Sequence, residues 1–357
     1  MGHSNGFVRL LYREDSSSKT KQIALELLYD PVDSEDGGIP MPVPARLRRF
    51  LSSWASPKYR EYPFGYTLIQ EYHSKRFSIH IWRIHAETPA KLYPSSDRPM
   101  IALQFMLEGD LPCVLVGYGP KRLQHSKYEL FYVPISHNEA WFEPGEYESL
   151  HIEMEPEFLD DIADTYPQVR QLLDRLGQAS EKGVPLIPVI INYVVRAILK
   201  NLRKCEKTGG DLKIVMHRYI VDLLTEYIAG IKDQEEDERR INIPHKETLI
   251  RIKQEILAYP HIHNQSIYKL QMRHAINAMT LKKNFKSLFD SSIGAFVRFH
   301  ALTHAHYLIV TTQRSIDDIS DEVGYHYRSN FDKSFKRQFD YSPSSLRDGA
   351  NGAGELI

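Results

Sequence analysis

The C-terminal part of the chain carries one pattern twice, about fifty residues apart, and this repeat constrains the fold more than any other feature. In the later copy, Ile316, Ile319 and Val323 recur at helical spacing, and Gly324 then offers the open backbone that a tight turn needs. A second helix follows in each copy. The apolar positions of the earlier copy are Ile267, Leu270, Ile276, Leu281, Phe285 and Phe289. The repeat predicts two units of helix, turn and helix.

Positive charges alternate with the apolar residues of the second helix in both copies. The earlier copy carries Lys282, Lys283 and Lys286, and the later copy carries Arg328, Lys333, Lys336 and Arg337. A helix of this kind packs with one side and meets phosphate with another. The pattern therefore favours binding of nucleic acid by this part of the chain.

The same segment carries a specific set of motifs. They are Val323-Gly324-Tyr325, the pair Phe331 and Phe335, Lys336-Arg337-Gln338-Phe339, and Ser342-Pro343. Residues 259–347 resemble, over their whole length, the DNA-binding domain of the AraC/XylS family of bacterial transcription regulators. The resemblance implies a domain at 245–348 with helix-turn-helix units at about 266–289 and 315–339, joined by a long helix at about 293–311.

The two copies match the family unequally. In the first unit, Gln271 stands where the family has a small residue, Ala275 where it has the turn glycine, and Asn284 where it prefers leucine. The second unit matches better but carries Asp332 on its second helix. A carboxylate there repels phosphate unless it accepts from a cytosine amino group or pairs with a neighbouring side chain that contacts a base.

The resemblance also implies which residues face DNA. In the family each unit lays its second helix in the major groove, and the connecting helix holds the two about one DNA turn apart. The positions carried over are Asn277, Ala278, Lys282, Lys283, Lys286, Tyr327, Arg328, Ser329, Lys333, Lys336 and Arg337. Arg328 is the best candidate for reading guanine, because its fork matches the O6 and N7 acceptors. The expected partners are double-stranded DNA, RNA polymerase, a second copy of the chain and a small-molecule effector.

Charge is distributed unevenly along the 357 residues. The segment from His245 to Asp348 carries 15 Lys and Arg against 10 Asp and Glu, whereas the whole chain has a net charge of −1. A basic end on a mildly acidic remainder fits nucleic-acid binding by the C-terminal part alone. An ordinary fluctuation of composition would give the same excess, so the motifs weigh more than the charge.

Short alternating runs between turn residues indicate an antiparallel sandwich or small barrel within residues 1–155. The runs are 66–72, 77–85, 100–107, 113–118, 128–133 and 148–154. Apolar residues fall on both faces of the second run, so we expect both faces to be partly covered. Many relatives bind a sugar or another metabolite in such a domain. The candidate effector-binding residues are Trp82, Tyr118, Tyr132 and Trp141, with ordinary core packing as the alternative.

Residues 156–232 switch to helical periodicity, which predicts a helix or a pair broken around Pro167, followed by two more helices. Their apolar stripes suit core packing or a dimer interface. The charged run at 233–244 indicates a solvated linker or a helix end, and 349–357 a flexible tail. The predicted fold class is multidomain α+β, with a β-rich N-terminal sensor, a helical middle and a C-terminal all-α double helix-turn-helix domain.

Patterns for metal binding are weak in the sequence. Cys113 and Cys205 lie far apart without a CxxC spacing, which favours a reducing compartment and argues against a structural metal. His73, His80 and His85 do not have the spacing of metal ligands. His151 and Glu153 share one strand face but lack partners at such spacing. The sequence therefore predicts no metal site and no cofactor.

Patterns for catalysis and membrane insertion are also missing. The sequence has no glycine-rich phosphate loop, nucleophile elbow or Cys/His nucleophile arrangement. Its most apolar run, residues 184–199, is too short to cross a bilayer. The resemblance implies a cytoplasmic, sequence-specific DNA-binding regulator, and with these patterns missing the sequence predicts that it is not an enzyme. The alternative from a different class is a β-barrel, cupin-like enzyme, or a protein-interaction module, with a DNA-binding tail.

Overall fold

A computed structural model of the protein describes residues 11–14, 23–26, 39–96, 98–183, 187–239 and 244–352. The chain forms two compact units. The first takes in residues up to Val189 together with residues 201–222. The second takes in residues 190–200 together with those from Leu223 onward.

The first unit is built mainly from β-strands. In chain order the strands are β1 (Leu11–Glu14), β2 (Ile23–Glu26), β3 (Ile39–Met41), β4 (Ser56–Tyr62), β5 (Gly65–His73), β6 (Phe77–Ala86), β7 (Ala90–Tyr93), β8 (Ser95–Ser96), β9 (Met100–Glu108), β10 (Leu111–Leu115), β11 (Gly119–Leu123), β12 (Lys127–Val133), β13 (Ser136–His137), β14 (Glu139–Phe142), β15 (Gly145–Met154) and β16 (Val189–Ile190). One sheet has the order β16-β12-β9-β15-β6-β5-β4-β3 and another the order β1-β2-β7-β14-β10-β11, while β13 pairs with β8. The predicted β-rich N-terminal domain is confirmed.

The two larger sheets enclose a hydrophobic core. Trp82 of β6 and Phe131 of β12 lie in one buried cluster with Leu92 of β7 and Phe142 of β14. Residues 79–84 of β6 are all 9% exposed or less, so both faces of this strand are covered. The alternation of apolar side chains on both faces had predicted this coverage.

The helices complete both units. They are a short 3-10 helix (Ala45–Phe50), then α1 (Pro156–Ala163), α2 (Pro167–Gly177), α3 (Tyr193–Arg203), α4 (Gly209–Arg239), α5 (Lys246–Ala258), α6 (Ile267–His274), α7 (Ala278–Phe289), α8 (Ile293–Thr311), α9 (Ile316–Glu322), α10 (Arg328–Phe339) and α11 (Pro343–Gly352). Pro156 and Pro167 stand at the first helical position, where a missing N–H is tolerated. Among the described residues, no helix has the length and apolar character needed to cross a membrane.

The helical middle region does not form a unit of its own. α3 and α4 each contribute residues to both compact units, so the units divide the chain inside the predicted 156–232 segment. α4 continues without a break through the charged run to Arg239. Lys253 of α5 donates to Asp233 at 2.9 Å and to Asp237 at 2.7 Å.

These ion pairs favour the second of the two interpretations of the charged run at 233–244, a helix end rather than a solvated linker. Asp237 is only 6% exposed, because its carboxylate is covered by the packing of α4 on α5. Residues 233–239 are therefore the end of a helix, and residues 240–243 lie outside the described residues. α11 likewise runs to Gly352, past the predicted start of the tail at 349, and residues 353–357 lie outside the described residues.

From α5 onward the second unit is helical in two halves that share α8. Val297 of α8 lies in a core with Leu281 and Phe285 of α7. Leu302 of α8 lies in the other core, with Phe331 of α10. α8 is buried where each half covers it, at Val297, Ala301 and Leu302 among others, whereas Phe299 and Val310 are exposed. The predicted double helix-turn-helix layout with a long connecting helix is confirmed.

Candidate nucleic-acid interface

The second helix of the first helix-turn-helix unit (about residues 266–289) is α7, which has one buried and one cationic face. Asn277 caps its N-terminus by accepting a hydrogen bond from the amide of Thr280 at 2.8 Å. The buried face holds Leu281, Phe285 and Leu288, and the exposed face holds Lys282, Lys283 and Lys286. Helical periodicity thus places packing and charge on opposite sides of one helix.

The turn before α7 is made without glycine. Ala275 adopts a left-handed conformation, with φ of +49°. This conformation costs an L-residue with a Cβ roughly 1–2 kcal/mol. The amide of Ala275 still donates to the carbonyl of Gln271, and Ile276 directly after it is 5% exposed. The turn is therefore formed at a backbone cost that burial of Ile276 helps to offset.

Polar contacts join the first helix-turn-helix unit to α5 and to Pro244. Glu255 of α5 accepts from Arg273 at 2.5 Å and lies 2.7 Å from Nε2 of His274. Asn284, which occupies a position where the family prefers leucine, donates to the carbonyl of Pro244 at 3.1 Å. The departure at Asn284 thus has a structural use, because it ties α7 to the segment that enters the domain.

The turn of the second unit requires glycine. Gly324 has φ of +87°, and a Cβ built there would lie 2.3 Å from Nδ1 of His261. The same Cβ would lie 2.9 Å from the amide of Ile262, which donates to the carbonyl of Val323. Backbone conformation and close approach therefore exclude a side chain at this position.

The second helix of this unit, α10, carries a guanidinium held by two carboxylates. Nε of Arg328 donates to Asp332 at 2.8 Å, and its Nη1 donates to Asp317 of α9 at 2.9 Å. Partial burial opposes the charge of Arg328, but the hydrogen bonds to Asp332 and Asp317 outweigh it and raise the pKa. Asp332 therefore pairs with Arg328 and orients it, and the contact of Arg328 with a base stays a prediction.

Comparison with known proteins bears on the same segment. A family profile described as a helix-turn-helix domain matches residues 273–349. Regulatory protein SoxS of Escherichia coli strain K12 is 34% identical over 67 residues, which are 19% of this chain and 63% of SoxS. The HTH-type transcriptional regulator ExsA of Pseudomonas aeruginosa is 34% identical over 70 residues, which are 20% of this chain and 25% of ExsA. The C-terminal domain belongs to the AraC/XylS family.

The matched relatives are covered only in part. The chain spans 63% of SoxS and a quarter of ExsA, which is less than two thirds of either relative. A structure of ToxT from Vibrio cholerae aligns with 76% of this chain and 98% of ToxT, at 15% identity and a TM-score of 0.27. A likeness at that score carries no argument about the N-terminal residues.

The AraC/XylS domain places the predicted DNA-facing residues on its surface. Most of them are exposed: Asn277, Lys282, Lys283, Lys286, Tyr327, Ser329, Lys333, Lys336 and Arg337. Ala278 and Arg328 are half-buried. They fall at the starts and along the outer faces of α7 and α10, and their contacts with DNA remain a prediction. Sequence reasoning missed Asp317 as a partner of Arg328, because an eleven-residue separation across a turn leaves no periodic signal.

A cavity of about 210 Å³ lies between the two larger sheets of the β-rich compact unit. Its walls are mostly apolar and include Trp82, Leu92, Met100, Tyr118 and Phe131. Polar side chains line one part of it: Gln104, Glu148, Ser149, His151 and Glu153. Its size and lining suit a small molecule that is largely apolar.

The cavity contains only two of the four predicted effector residues. Trp82 and Tyr118 line it, whereas Tyr132 and Trp141 do not. The residues on either side of Tyr132 and Trp141 line the cavity, so strand alternation turns these two side chains away from it. The hydroxyl of Tyr132 instead donates to the carbonyl of Ser180 at 2.7 Å. Tyr132 and Trp141 therefore lie outside this cavity, and only Trp82 and Tyr118 of the predicted set could contact a molecule bound in it.

Proposed function

We propose that the protein is a sequence-specific, DNA-binding transcription regulator controlled by a small apolar molecule that binds in its β-rich compact unit. The observation that carries the proposal is the pair of cationic helices, α7 and α10, both packed on α8. Because one helix serves both cores, the two exposed faces keep a fixed separation. A fixed pair of recognition helices suits binding to two adjacent major grooves. Such a protein acts on chromosomal DNA in the bacterial cytoplasm.

The proposed effector is apolar because the cavity is. Its walls offer aromatic and aliphatic surface, with Gln104 as a neutral hydrogen-bonding group. A sugar would bury many of its hydroxyl groups against the aromatic and aliphatic part of the walls, where they would find no hydrogen-bond partner. An uncharged molecule with a short polar end, of which 1-octanol is a convenient probe, fits both parts of the lining.

Homodimer formation and contact with RNA polymerase belong to the same proposal. Ile214 and Val221, seven residues apart on α4, expose apolar side chains at helical spacing. A second copy of the chain would cover such a stripe. A light-scattering mass of one chain at micromolar concentration would contradict the dimer.

The DNA-binding part is tested by mixing the full chain with genomic fragments at near-physiological salt and footprinting the enriched fragments. We expect protection of two adjacent major grooves upstream of a gene. Lys283→Glu should abolish that footprint. Lys207→Glu reverses the same charge at an exposed position of the β-rich compact unit and should leave the footprint intact. Weak binding without sequence preference, equal for both variants, would contradict the proposal.

The effector part is tested with 1-octanol and two variants of β14. Ala140 lines the cavity and its neighbour Trp141 does not. Octanol should quench or shift Trp fluorescence of the full chain, Ala140→Phe should remove this response, and Trp141→Phe should keep it. An equal response in both variants would place octanol outside the cavity.

A further inference from the structure

Strand pairing brings together polar side chains that lie far apart in the sequence. His80 of β6 lies directly opposite His151 of β15, and Glu153 follows two residues later on β15. One ligand atom of each of the three side chains lies within 4.8 Å of those of the other two. Two imidazoles and one carboxylate on neighbouring strands are a donor set that first-row transition metals accept.

The imidazole of His80 has an unsatisfied nitrogen. The residue is 3% exposed, and its Nε2 makes no hydrogen bond within the described part of the chain. The same Nε2 lies 3.4 Å from Oε1 of Glu153. A buried nitrogen without a hydrogen bond calls for an explanation, and a bound ion is one that proteins commonly use.

Neighbouring side chains suit the histidine for ligation. Nδ1 of His80 lies 4.0 Å from Oε1 of Glu71, whose carboxylate is held by Lys58 at 2.6 Å. At this distance the carboxylate attracts the Nδ1 side of the ring without a hydrogen bond, and Nε2 is the nitrogen that faces Glu153. Arg98 lies 3.5 Å from Oε2 of Glu153, which leaves Oε1 turned toward His80.

Burial disfavours the charged form of both imidazoles. Burial lowers the pKa of His151 to about 4. Burial, with repulsion from His151 and other cations, lowers the pKa of His80 well below its ordinary value. A neutral imidazole keeps the lone pair that a metal ligand needs.

We propose that His80, His151 and Glu153 bind a divalent transition-metal ion, with zinc as the simplest case, at the polar end of the cavity. His151 and Glu153 both line that cavity, so an ion can enter through it. Three protein ligands leave a fourth position of a tetrahedral ion open to the cavity. The site goes beyond the proposed regulatory function and does not depend on it.

The geometry needs a small adjustment on binding. Tetrahedral ligand atoms about 2.1 Å from zinc lie roughly 3.4 Å from one another. The pair His80 and Glu153 already meets this distance. The rings of His80 and His151 stack with centroids 4.8 Å apart and planes at 25°, so a ring rotates about its Cβ–Cγ bond when both ligate.

Cobalt(II) is the probe, because it replaces zinc and absorbs visible light when nitrogen and oxygen ligands hold it. The full chain is stripped with a chelator and titrated with cobalt in the absence of DNA. We expect one equivalent to bind, and His151→Gln and Glu153→Gln to weaken binding at least about 100-fold, since even supporting residues are worth 10- to 100-fold. The matched control is His85→Gln on β6, the strand that carries His80. His85 pairs with Glu146 at 2.9 Å and lies outside the triad.

A second measurement guards against variants that do not fold. Zinc at about 100 times its Kd should raise Tm of the unaltered chain by roughly 5–10 °C, and should leave Tm of His151→Gln unchanged. Equal cobalt binding by the triad variants and the control would mean that surface histidines hold the ion, and would overturn the proposal. Failure of the unaltered chain to bind cobalt at millimolar concentration would overturn it too.

Discussion

The two helix-turn-helix units share one fold but differ in charge. Residues 266–289 contain five Lys and Arg and no Asp or Glu, whereas residues 315–339 contain four Lys and Arg against five Asp and Glu. The first unit can therefore attract phosphate over its whole surface. In the second helix-turn-helix unit, two of the five acidic residues, Asp317 and Asp332, accept hydrogen bonds from Arg328. The comparison teaches that the departures from the family pattern in the first unit do not weaken its electrostatic suitability for DNA.

The units also differ in how the backbone turns between their helices. The first uses Ala275 at φ +49°, and the second uses Gly324 at φ +87°. The surroundings of Gly324 leave no space for a side chain, whereas the first unit accommodates the Cβ of Ala275. The same turn is thus tolerant in one unit and strict in the other.

The largest expected effect is the loss of stability in acid, because two buried histidines lie on α8, the helix that both helix-turn-helix units share. Burial lowers the pKa of His300 and His304 on α8 to about 4, against 6.5 in the unfolded chain. Both are neutral in either state above pH 6.5, and below it the unfolded chain takes up protons first. Stability is therefore lost as pH falls from about 6.5 to about 4, by roughly 2 kcal/mol per histidine at pH 5.

Urea unfolding of the full chain at pH 7.5 and pH 5 measures this loss. His304→Gln should flatten the pH dependence, because glutamine does not titrate. An unchanged slope in that variant would show that other groups cause the acid sensitivity.

The second effect is on the strict turn. Gly324→Ala should lower the free energy of unfolding by about 3 kcal/mol, because the new Cβ meets His261 and Ile262 and the backbone conformation disfavours it. The matched control is Gly294→Ala on α8, where a Cβ meets nothing within 4 Å. Equal effects of the two substitutions would contradict the difference between the turns.

The third effect concerns the charge of the first unit. Replacing Lys282, Lys283 and Lys286 together by Ala should weaken DNA binding by about 3 kcal/mol at physiological salt, for all sequences alike. The slope of log K against log salt should become shallower by about 2.7. Titrations at several salt concentrations give both values. Loss at one base position only would instead assign the lysines to base reading.

The fourth effect concerns the positioned arginine of the second unit. Arg328→Ala should cost about 1–3 kcal/mol at a single base position and leave the salt slope nearly unchanged. Asp317→Asn weakens one of the two hydrogen bonds on the guanidinium and should give a smaller loss at the same position. Binding to a set of operators with single base changes measures both. A uniform loss across the set would make Arg328 a phosphate contact.

The smallest effect tests the tolerant turn. Ala275→Gly should raise stability by up to about 1 kcal/mol, since glycine relieves the left-handed strain but loses more backbone entropy on folding. Urea unfolding of the full chain measures it. A loss above 1 kcal/mol would show that the methyl group of Ala275 packs usefully.

Much of the helical part could be predicted from the sequence. The spacing of Phe331, Phe335 and their counterparts in the first unit predicted both helical hairpins, because helical periodicity is a local property of the chain. The connecting helix was predicted at 293–311 and lies at Ile293–Thr311. The charged run at 233–239 was harder, because only the contact with Lys253 decides that its acids are covered.

The candidate sites divide in the same way. Lysines on an exposed helix face are visible in a sequence, and nine of the eleven predicted DNA-facing residues are exposed. The cavity was only half found, since Tyr132 and Trp141 are aromatic but turned away from it. The triad of His80, His151 and Glu153 was missed, because no spacing along the chain links residues that meet only through strand register.

The sequence by itself determined the helices of the two repeated units, the helix that connects them, and which helix faces carry charge. These properties depend on neighbours within a few residues, and a linear pattern contains them. Only the tertiary structure decided which strands pair, which side chains line the cavity, and which carboxylates hold Arg328. The bond between Arg328 and Asp317 joins residues eleven positions apart, and the pairing of β6 with β15 joins residues 59 to 77 positions apart. The packing that brings such residues together is a property of the whole fold.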